Sequence, residues 1–337
     1  MKAVGFQQPG PIERLDALQD ITLEKPLAHG RDLLVEIKAV SVNPVDTKVR
    51  VNRQPKTDSW EILGYDAVGV VNAIGPEVEY FKVGDEVFYA GVINRPGTNS
   101  EFHLVDERIV GRKPANLSDS EAAALPLTAI TAWEMLFDRL EVQRPTVEGG
   151  KLILVIGGAG GVGSITLQLL RAMTDLTIIA TASRQDTKQW VMDSGAHHVI
   201  DHSQPLAPQV EALGLGKPGF VFSTTQTDRH YSDIVELIAP QGRFGLIDDP
   251  PTLDAKPLKM KSISLHWELM FTRPVFGTPD LDEQRNLLNQ VADLVEAGKI
   301  RSTATEVAGK INAANLKTIH AQLESKTTRG KIVLEGF

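Results

Sequence analysis

Apolar and polar positions alternate along this chain in two different rhythms. From residue 1 to about 120 the rhythm is short. "DLLVEIKAVSV", "AVGVVNAIG" and "GDEVFYAG" set apolar side chains at roughly every second place, with Gly and Pro between the runs. That alternation predicts half-buried strands in a β-rich module. Near 120 the period lengthens. "SDSEAAALPLTAITAWEMLFDRL" opens on a Ser cap and an acidic first turn and continues as helix around Pro126. From 151 to about 265 wholly apolar runs alternate with helical stretches, the pattern of a parallel sheet covered on both faces. Leu152–Ile156 is the first predicted strand of that sheet, 176–182 the second and 198–201 the third. "FVFSTT" and "GRFGLID" supply the fourth and fifth. The helix "DEQRNLLNQVADLVEAGKI" and the terminal strand "GKIVLEGF" then return to the first module. The expected fold class is α/β in two domains. Residues 1–120 and 270–337 form a β-rich domain, and 121–269 form an inserted, doubly wound dinucleotide-binding domain.

One strand-to-helix junction in the second region carries most of the chemistry. In "KLILVIGGAGGVGSITLQLL" the strand ends in glycines, and 165–173 read as helix with Ile165, Leu169 and Ala172 on one stripe. Gly158, Gly160 and Gly163 fit G-x-G-x-x-G in the setting that gives this motif its meaning. The first glycine is expected to permit the tight turn, the second to let a pyrophosphate approach, and the third to let helix pack on strand. Ala159, Gly161 and Val162 complete the turn, whose free N–H groups would face the phosphates at the helix N-terminus. The plainer alternative is a flexible glycine-rich loop.

The end of the next strand decides which dinucleotide. An NAD site wants Asp or Glu there, to accept hydrogen bonds from the ribose 2′-OH. This chain has Ser183 and Arg184, with Lys188 one turn on. A hydroxyl followed by a guanidinium suits a 2′-phosphate, which points to NADPH; otherwise Arg184 and Lys188 simply begin a solvated helix. His202 is placed against the adenine. Ser223 and Thr224 end a predicted strand at its carboxyl side, where ligands of such sheets bind.

Composition removes other functions. The net charge is −8, so dense positive charge for nucleic acid or an anionic membrane is absent. No apolar run is long enough to span a bilayer, and no export signal is read at the N-terminus, so a cytoplasmic protein acting on a small molecule is expected. The chain contains no cysteine, which excludes disulfides and thiolate metal sites. His197, His198 and His202 lie close in "GAHHVIDH", either as a metal cluster or, as we expect, as the turn into the third strand. No metal site is predicted.

Several motifs together resemble the medium-chain dehydrogenase/reductase superfamily, and within it the quinone-oxidoreductase-like branch, which includes zinc-type alcohol dehydrogenase-like members. They are "VSVNPVDTKVR", "ILGYDAVGVV", "VGDEVFYAG", "AAALPLTAITAWE", "GGAGGVG", "GAHHVIDH" and "GKIVLEGF", and they span essentially the whole chain. The resemblance implies a GroES-like catalytic domain completed by the C-terminal segment, an inserted Rossmann domain, a cleft between the two, and a homodimer. It also implies that zinc-using relatives place Cys where this chain has Asn43 and His where it has Tyr65, with a cysteine-rich loop at "AGVINRPGTNSEFHL". Asp46 and Asp66 remain, but two carboxylates do not make an N/S-type zinc site. By position in metal-free relatives, Asn43 lies near the nicotinamide and Thr131 near the cofactor. As a residue, Asn43 also reads as a turn former before Pro44. Asp46 reads equally as a structural residue, and Tyr65 as a proton donor or a wall. The aromatic stretch "HWELMFTRPVF" reads as pocket lining or dimer interface. The expected activity is an NADPH-dependent, zinc-independent reduction of a quinone, enone or other activated carbonyl. A metal-free ketone or aldehyde reductase and a non-catalytic NADPH-binding protein are the alternatives.

Overall fold

The computed structural model describes residues 1–144, 146 and 150–337. The chain divides into two compact units. One comprises Met1–Ile130 with Phe271–Phe337, the other Thr131–Met270.

The first unit is built on Asp32–Ser41, a ten-residue strand that pairs antiparallel with Ala67–Ile74, Phe102–Asp106 and the terminal strand Lys331–Glu335. Its register against Ala67–Ile74 slips twice, between Leu34 and Val35 and between Ile37 and Ala39. Each slip bends the strand, which lets one strand serve several neighbours. Gly69 permits the close approach, since a Cβ there would lie 2.3 Å from the Glu36 carbonyl. The terminal strand also pairs in parallel with Ala304–Val307, so the last residues of the chain lie in this sheet. The strand end at Ser41 leads into the helix Pro44–Asn52, whose first turn begins at Asn43 with Pro44 pre-set for the helix.

The long helical stretch near 120 is three pieces rather than one. Asp119–Ala123 is capped by Ser118, whose hydroxyl accepts from the Glu121 N–H. Pro126–Trp133 follows, then a π-helical turn, Glu134–Arg139. Pro126 cannot donate the hydrogen bond that would join the first two pieces. The boundary between the units falls inside the second piece.

The second unit holds six parallel strands, β1 (Leu152–Ile156), β2 (Thr177–Thr181), β3 (His198–Ile200), β4 (Phe220–Ser223), β5 (Arg243–Leu246) and β6 (Ser264–Trp267). Their order is β3-β2-β1-β4-β5-β6, which reverses direction between β1 and β4. Every residue of β1 and β4 is buried, which explains their unbroken apolar runs. Leu154, Ile156, Ile179, Val221, Phe244 and Leu246 belong to one core cluster. β6 was not foreseen. As an edge strand with no fully buried residue it carries no apolar run, and the stretch read as "HWELMFTRPVF" divides instead. Its first two residues end β6, and its last five form the helix Thr272–Phe276 in the first unit. Among the described residues no helix is long and apolar enough to cross a membrane.

Candidate cofactor and active site

β1 runs into the glycine turn and then into α1 (Gly161–Met173), with Gly160 as its N-cap. The turn works one residue earlier than expected. The left-handed backbone is at Gly157, with φ +82°, and its N–H donates to Thr181 Oγ1 at 3.0 Å. Gly158 is needed for packing instead: a Cβ there would meet Ala180 and Val191 at 3.1 Å. Gly163 lets the helix close on the turn itself, because a Cβ would lie 2.2 Å from the Gly157 carbonyl oxygen. Gly160 differs from both. A Cβ there would meet the Gly157 carbonyl oxygen at 3.6 Å, an ordinary contact. The fold itself therefore does not require a glycine at 160, whereas a pyrophosphate lying on the helix N-terminus does. This cradle fits a dinucleotide.

Beyond β2, Arg184 is half-exposed and its Nε lies 3.4 Å from Asp186, while Lys188 Nζ lies 3.4 Å from Asp201. His202 sits among them. Burial, and the cations of Arg229, Arg184 and Lys188, push its pKa down against the pull of Asp201. Its Nδ1 is buried with no hydrogen-bond partner among the described residues, and its ring meets that of His230 edge-on at 6.4 Å. Arg229, on the helix Thr227–Leu237, was missed by sequence reading. It is 45 positions beyond Arg184 and follows no motif. Three cations around an imidazole with an unpaired nitrogen could hold a phosphate group. Ser223 stands differently from the expectation. It is fully buried, and its hydroxyl is 2.7 Å from Thr227 Oγ1, which is itself bonded to Asp248. Thr131 is buried at the start of the second unit.

In the first unit, Ser41, Asn43, Asp46, Asp66 and Lys331 form a buried polar cluster. Asp66 Oδ2 accepts from Ser41 Oγ at 2.7 Å, from Asn43 Nδ2 at 2.7 Å and from Lys331 Nζ at 3.1 Å, while its Oδ1 accepts from the Leu127 N–H at 2.7 Å. Asp46 bridges two backbone segments. Its Oδ2 accepts from the Asn43 N–H and its Oδ1 from the Gly64 N–H, both at 2.8 Å. Burial pushes Asp46 up to about 7, and those two N–H donors only partly offset it. Burial likewise pushes the Lys331 ammonium down, opposed by Asp66 and then Asp46. In the sequence Lys331 stands only within "GKIVLEGF", and no motif marks it for a role. Its place beside Asn43 depends on strand pairing across 288 positions.

Tyr65 is buried between these groups in sequence, with Gly64 before it and Asp66 after it. Its ring meets Phe271 edge-on at 5.4 Å, and its hydroxyl is buried with no hydrogen-bond partner among the described residues. Burial, and next the Asp46 carboxylate, push the phenol well above its ordinary range.

The donor set does not fit zinc. Asn43 and Tyr65 stand where the resemblance implies thiolate and imidazole. The oxygens of Asp46 and Asp66 are already taken up by N–H, O–H and ammonium donors. Among the described residues no three His, Cys, Asp or Glu side chains are grouped to hold a metal ion.

The family model for the alcohol dehydrogenase GroES-like domain matches residues 29–115, and that for zinc-binding dehydrogenase matches residues 194–334. The chain is 40% identical over 336 residues to a zinc-type alcohol dehydrogenase-like protein of Staphylococcus aureus strain MSSA476, covering 99% of each. It is 35% identical over 212 residues to the 2-methylene-furan-3-one reductase of Solanum lycopersicum, covering 60% of this chain and 53% of the other. A crystal structure from Rhizobium etli CFN 42, described as a zinc-dependent alcohol dehydrogenase protein, superposes with a TM-score of 0.98 at 62% identity, covering 100% of this chain and 98% of that one.

Proposed function

The chain belongs to the medium-chain dehydrogenase/reductase superfamily of oxidoreductases, and from that premise we propose that it is an NADPH-dependent, zinc-independent reductase of quinones, enones or similarly activated carbonyl compounds. The observation that carries this reading is the site around Asn43 and Tyr65. Its carboxylates are saturated by internal donors, and its one unsatisfied polar atom among these residues is a phenol hydroxyl. Without a Lewis acid nothing lowers the pKa of an alcohol, so alcohol oxidation is disfavoured. A conjugated acceptor asks less, namely a hydride at its β-carbon and a proton on its oxygen or α-carbon.

When bound, NADPH supplies the hydride. The chain supplies the rest. The glycine turn and the N-terminus of α1 hold the pyrophosphate, Ser183, Arg184, Lys188 and Arg229 hold the 2′-phosphate, and His202 lies against the adenine. Tyr65 is the proton donor. Its raised pKa keeps it protonated across the physiological range, so it has a proton to give and cannot serve as a base. Asn43, with its amide fixed at both ends, orients the acceptor. The enone named in the tomato relative supports this substrate class. A second copy of the chain is the partner of this reading, joined through β6, whose outer edge is unpaired within the sheet and carries the half-exposed Trp267.

Oxidation of NADPH with 1,4-naphthoquinone, an aliphatic enone and a simple ketone tests the proposal, before and after exhaustive chelation. The expected result is turnover of the quinone or enone that survives chelation. Turnover of the ketone alone, or stoichiometric zinc lost together with activity, overturns it.

A further inference from the structure

Among the described residues the Lys331 nitrogen meets three acceptors. They are the Val42 carbonyl at 2.9 Å, Asn43 Oδ1 at 2.5 Å and Asp66 Oδ2 at 3.1 Å. Three acceptors require three N–H bonds, so the group is an ammonium ion and not an amine. The side chain is 3% exposed and that of Asp66 is fully buried, so the charge is held by the protein alone. Its neighbours also settle how Asn43 faces. The amide oxygen turns to the ammonium and the amide nitrogen to the Asp66 carboxylate, and the reverse would set like against like at both ends.

The contacts also reach Tyr65 from two sides. The residue before it, Gly64, has its N–H held by Asp46, which in turn holds the Asn43 N–H. The residue after it, Asp66, is held by Lys331 through its side chain and by Thr98 Oγ1 through its carbonyl, at 3.0 Å. One cation thus gathers the loop that carries Asn43 and the turn that carries Tyr65. In a zinc-using site a metal ion performs that gathering.

We propose that Lys331 is a positioning residue that replaces the organising cation of this site, fixing the Asn43 amide and the Tyr65 turn while leaving the phenol hydroxyl unbonded. The proposal rests on the reading of Tyr65 as proton donor. It assigns no direct contact between Lys331 and the acceptor.

Four proteins test it: the wild type, Lys331→Met, Asp66→Asn and the double variant. Removing one partner leaves a buried charge without its partner, whereas removing both leaves none. The double variant is therefore expected to melt closer to the wild type than either single variant. With 1,4-naphthoquinone, kcat of Lys331→Met and of the double variant is expected to fall about tenfold or more, the cost of a loosened reacting group. NADPH Kd, measured by titration, is expected to stay within about twofold, because its residues lie in the other unit. Recovery of kcat together with melting temperature in the double variant makes Lys331 a purely structural residue and overturns the proposal, as does a Lys331→Met kcat within about twofold of wild type. If Lys331→Met does not fold, the double variant decides alone. If the wild type reduces none of the three acceptors, the reductase reading has failed, and the positioning claim is judged by NMR. The ring resonances of 13C-labelled Tyr65, assigned with Tyr65→Phe, should shift in the double variant, and unchanged resonances refute it.

Discussion

The two cationic centres of this protein are built in opposite ways. Around Arg184 and Lys188 the cations are half in water and sit 3.4 Å from their carboxylates. Around Lys331 the cation is out of water and its acceptors are 2.5–3.1 Å away. Exposed ion pairs of the first kind contribute little to stability, so their partners are easily exchanged for a phosphate. A buried pair of the second kind is costly to break and has no capacity left for a ligand. The difference separates a site made to be occupied from a site made to hold others in place.

The largest effect is expected at the glycine turn, where the two purposes meet within four residues. At Gly163 a Cβ would lie 2.2 Å from a carbonyl oxygen and 2.7 Å from the Gly158 Cα. Gly163→Val should therefore cost more than the about 1–3 kcal/mol of ordinary overpacking and abolish NADPH binding with it. Gly160→Ala makes only an ordinary contact within the protein, so its melting temperature should match the wild type. Its NADPH affinity should still fall about tenfold or more, because the pyrophosphate needs that space. Calorimetry beside cofactor titration separates the two, and equal loss of stability in both variants would remove the distinction.

Next in size is Asp66→Asn, which leaves the Lys331 ammonium buried without its counter-charge. A loss of about 3–5 kcal/mol is expected in denaturant unfolding. A loss below about 1 kcal/mol would place Lys331 among the weak surface-type pairs, and the contrast would collapse.

How much of this contrast was legible in the sequence follows from the range of the interactions. The glycine turn, Ser183, Arg184 and Lys188 lie within one βαβ unit, so spacing alone brings them into view. The strands β1 and β4 announce themselves because burial on both faces demands apolar residues throughout. Gly157 was passed over because the motif names three glycines and this chain offers five between 157 and 163; only the backbone angle tells which one turns. β6 was missed because an edge strand need not be apolar. The buried cluster was hardly visible at all. Asn43, Asp66 and Lys331 come from three separated segments, and their meeting depends on strand register, which periodicity does not fix. Arg229 was silent for the same reason.

A smaller effect, confined to binding, is expected at Arg184. Charge-assisted hydrogen bonds contribute about 1.5–3 kcal/mol each. Arg184→Ala should thus weaken NADPH about tenfold to a hundredfold and leave NADH and thermal stability nearly unchanged. Titrating both cofactors into both proteins checks this. Equal loss for NADH and NADPH would assign Arg184 to the pyrophosphate or the fold, and a wild type that prefers NADH would overturn the 2′-phosphate reading altogether.

The smallest effect separates burial from location, since the open and closed sites also differ in the unit that carries them. The second unit has a buried acid of its own. Glu268 is 5% exposed, and its Oε2 accepts from Arg139 Nε at 2.8 Å. Burial, and then the neighbouring Glu134, push its pKa up to about 9. An acid whose folded pKa is raised favours folding while protonated. The stability it contributes is complete below the ordinary carboxyl value of 4.5 and is lost as pH rises towards 9. At pH 8 the folded protein must hold a proton that the unfolded chain has released. Glu268→Gln imitates the protonated acid, keeping an oxygen for Arg139 and an N–H for Glu134, and it carries no such penalty. The variant should be more stable than the wild type by about 1–3 kcal/mol at pH 8. At pH 4, below the ordinary carboxyl value of 4.5, the unfolded acid still holds most of its proton and the difference should shrink to near zero. If the gap has this pH dependence, burial governs how a charge is held in either unit. A variant equally stable at both pH values would mean that Glu268 stays ionised against Arg139. The second unit would then keep its charges whether buried or not, and the contrast would belong to the units rather than to burial.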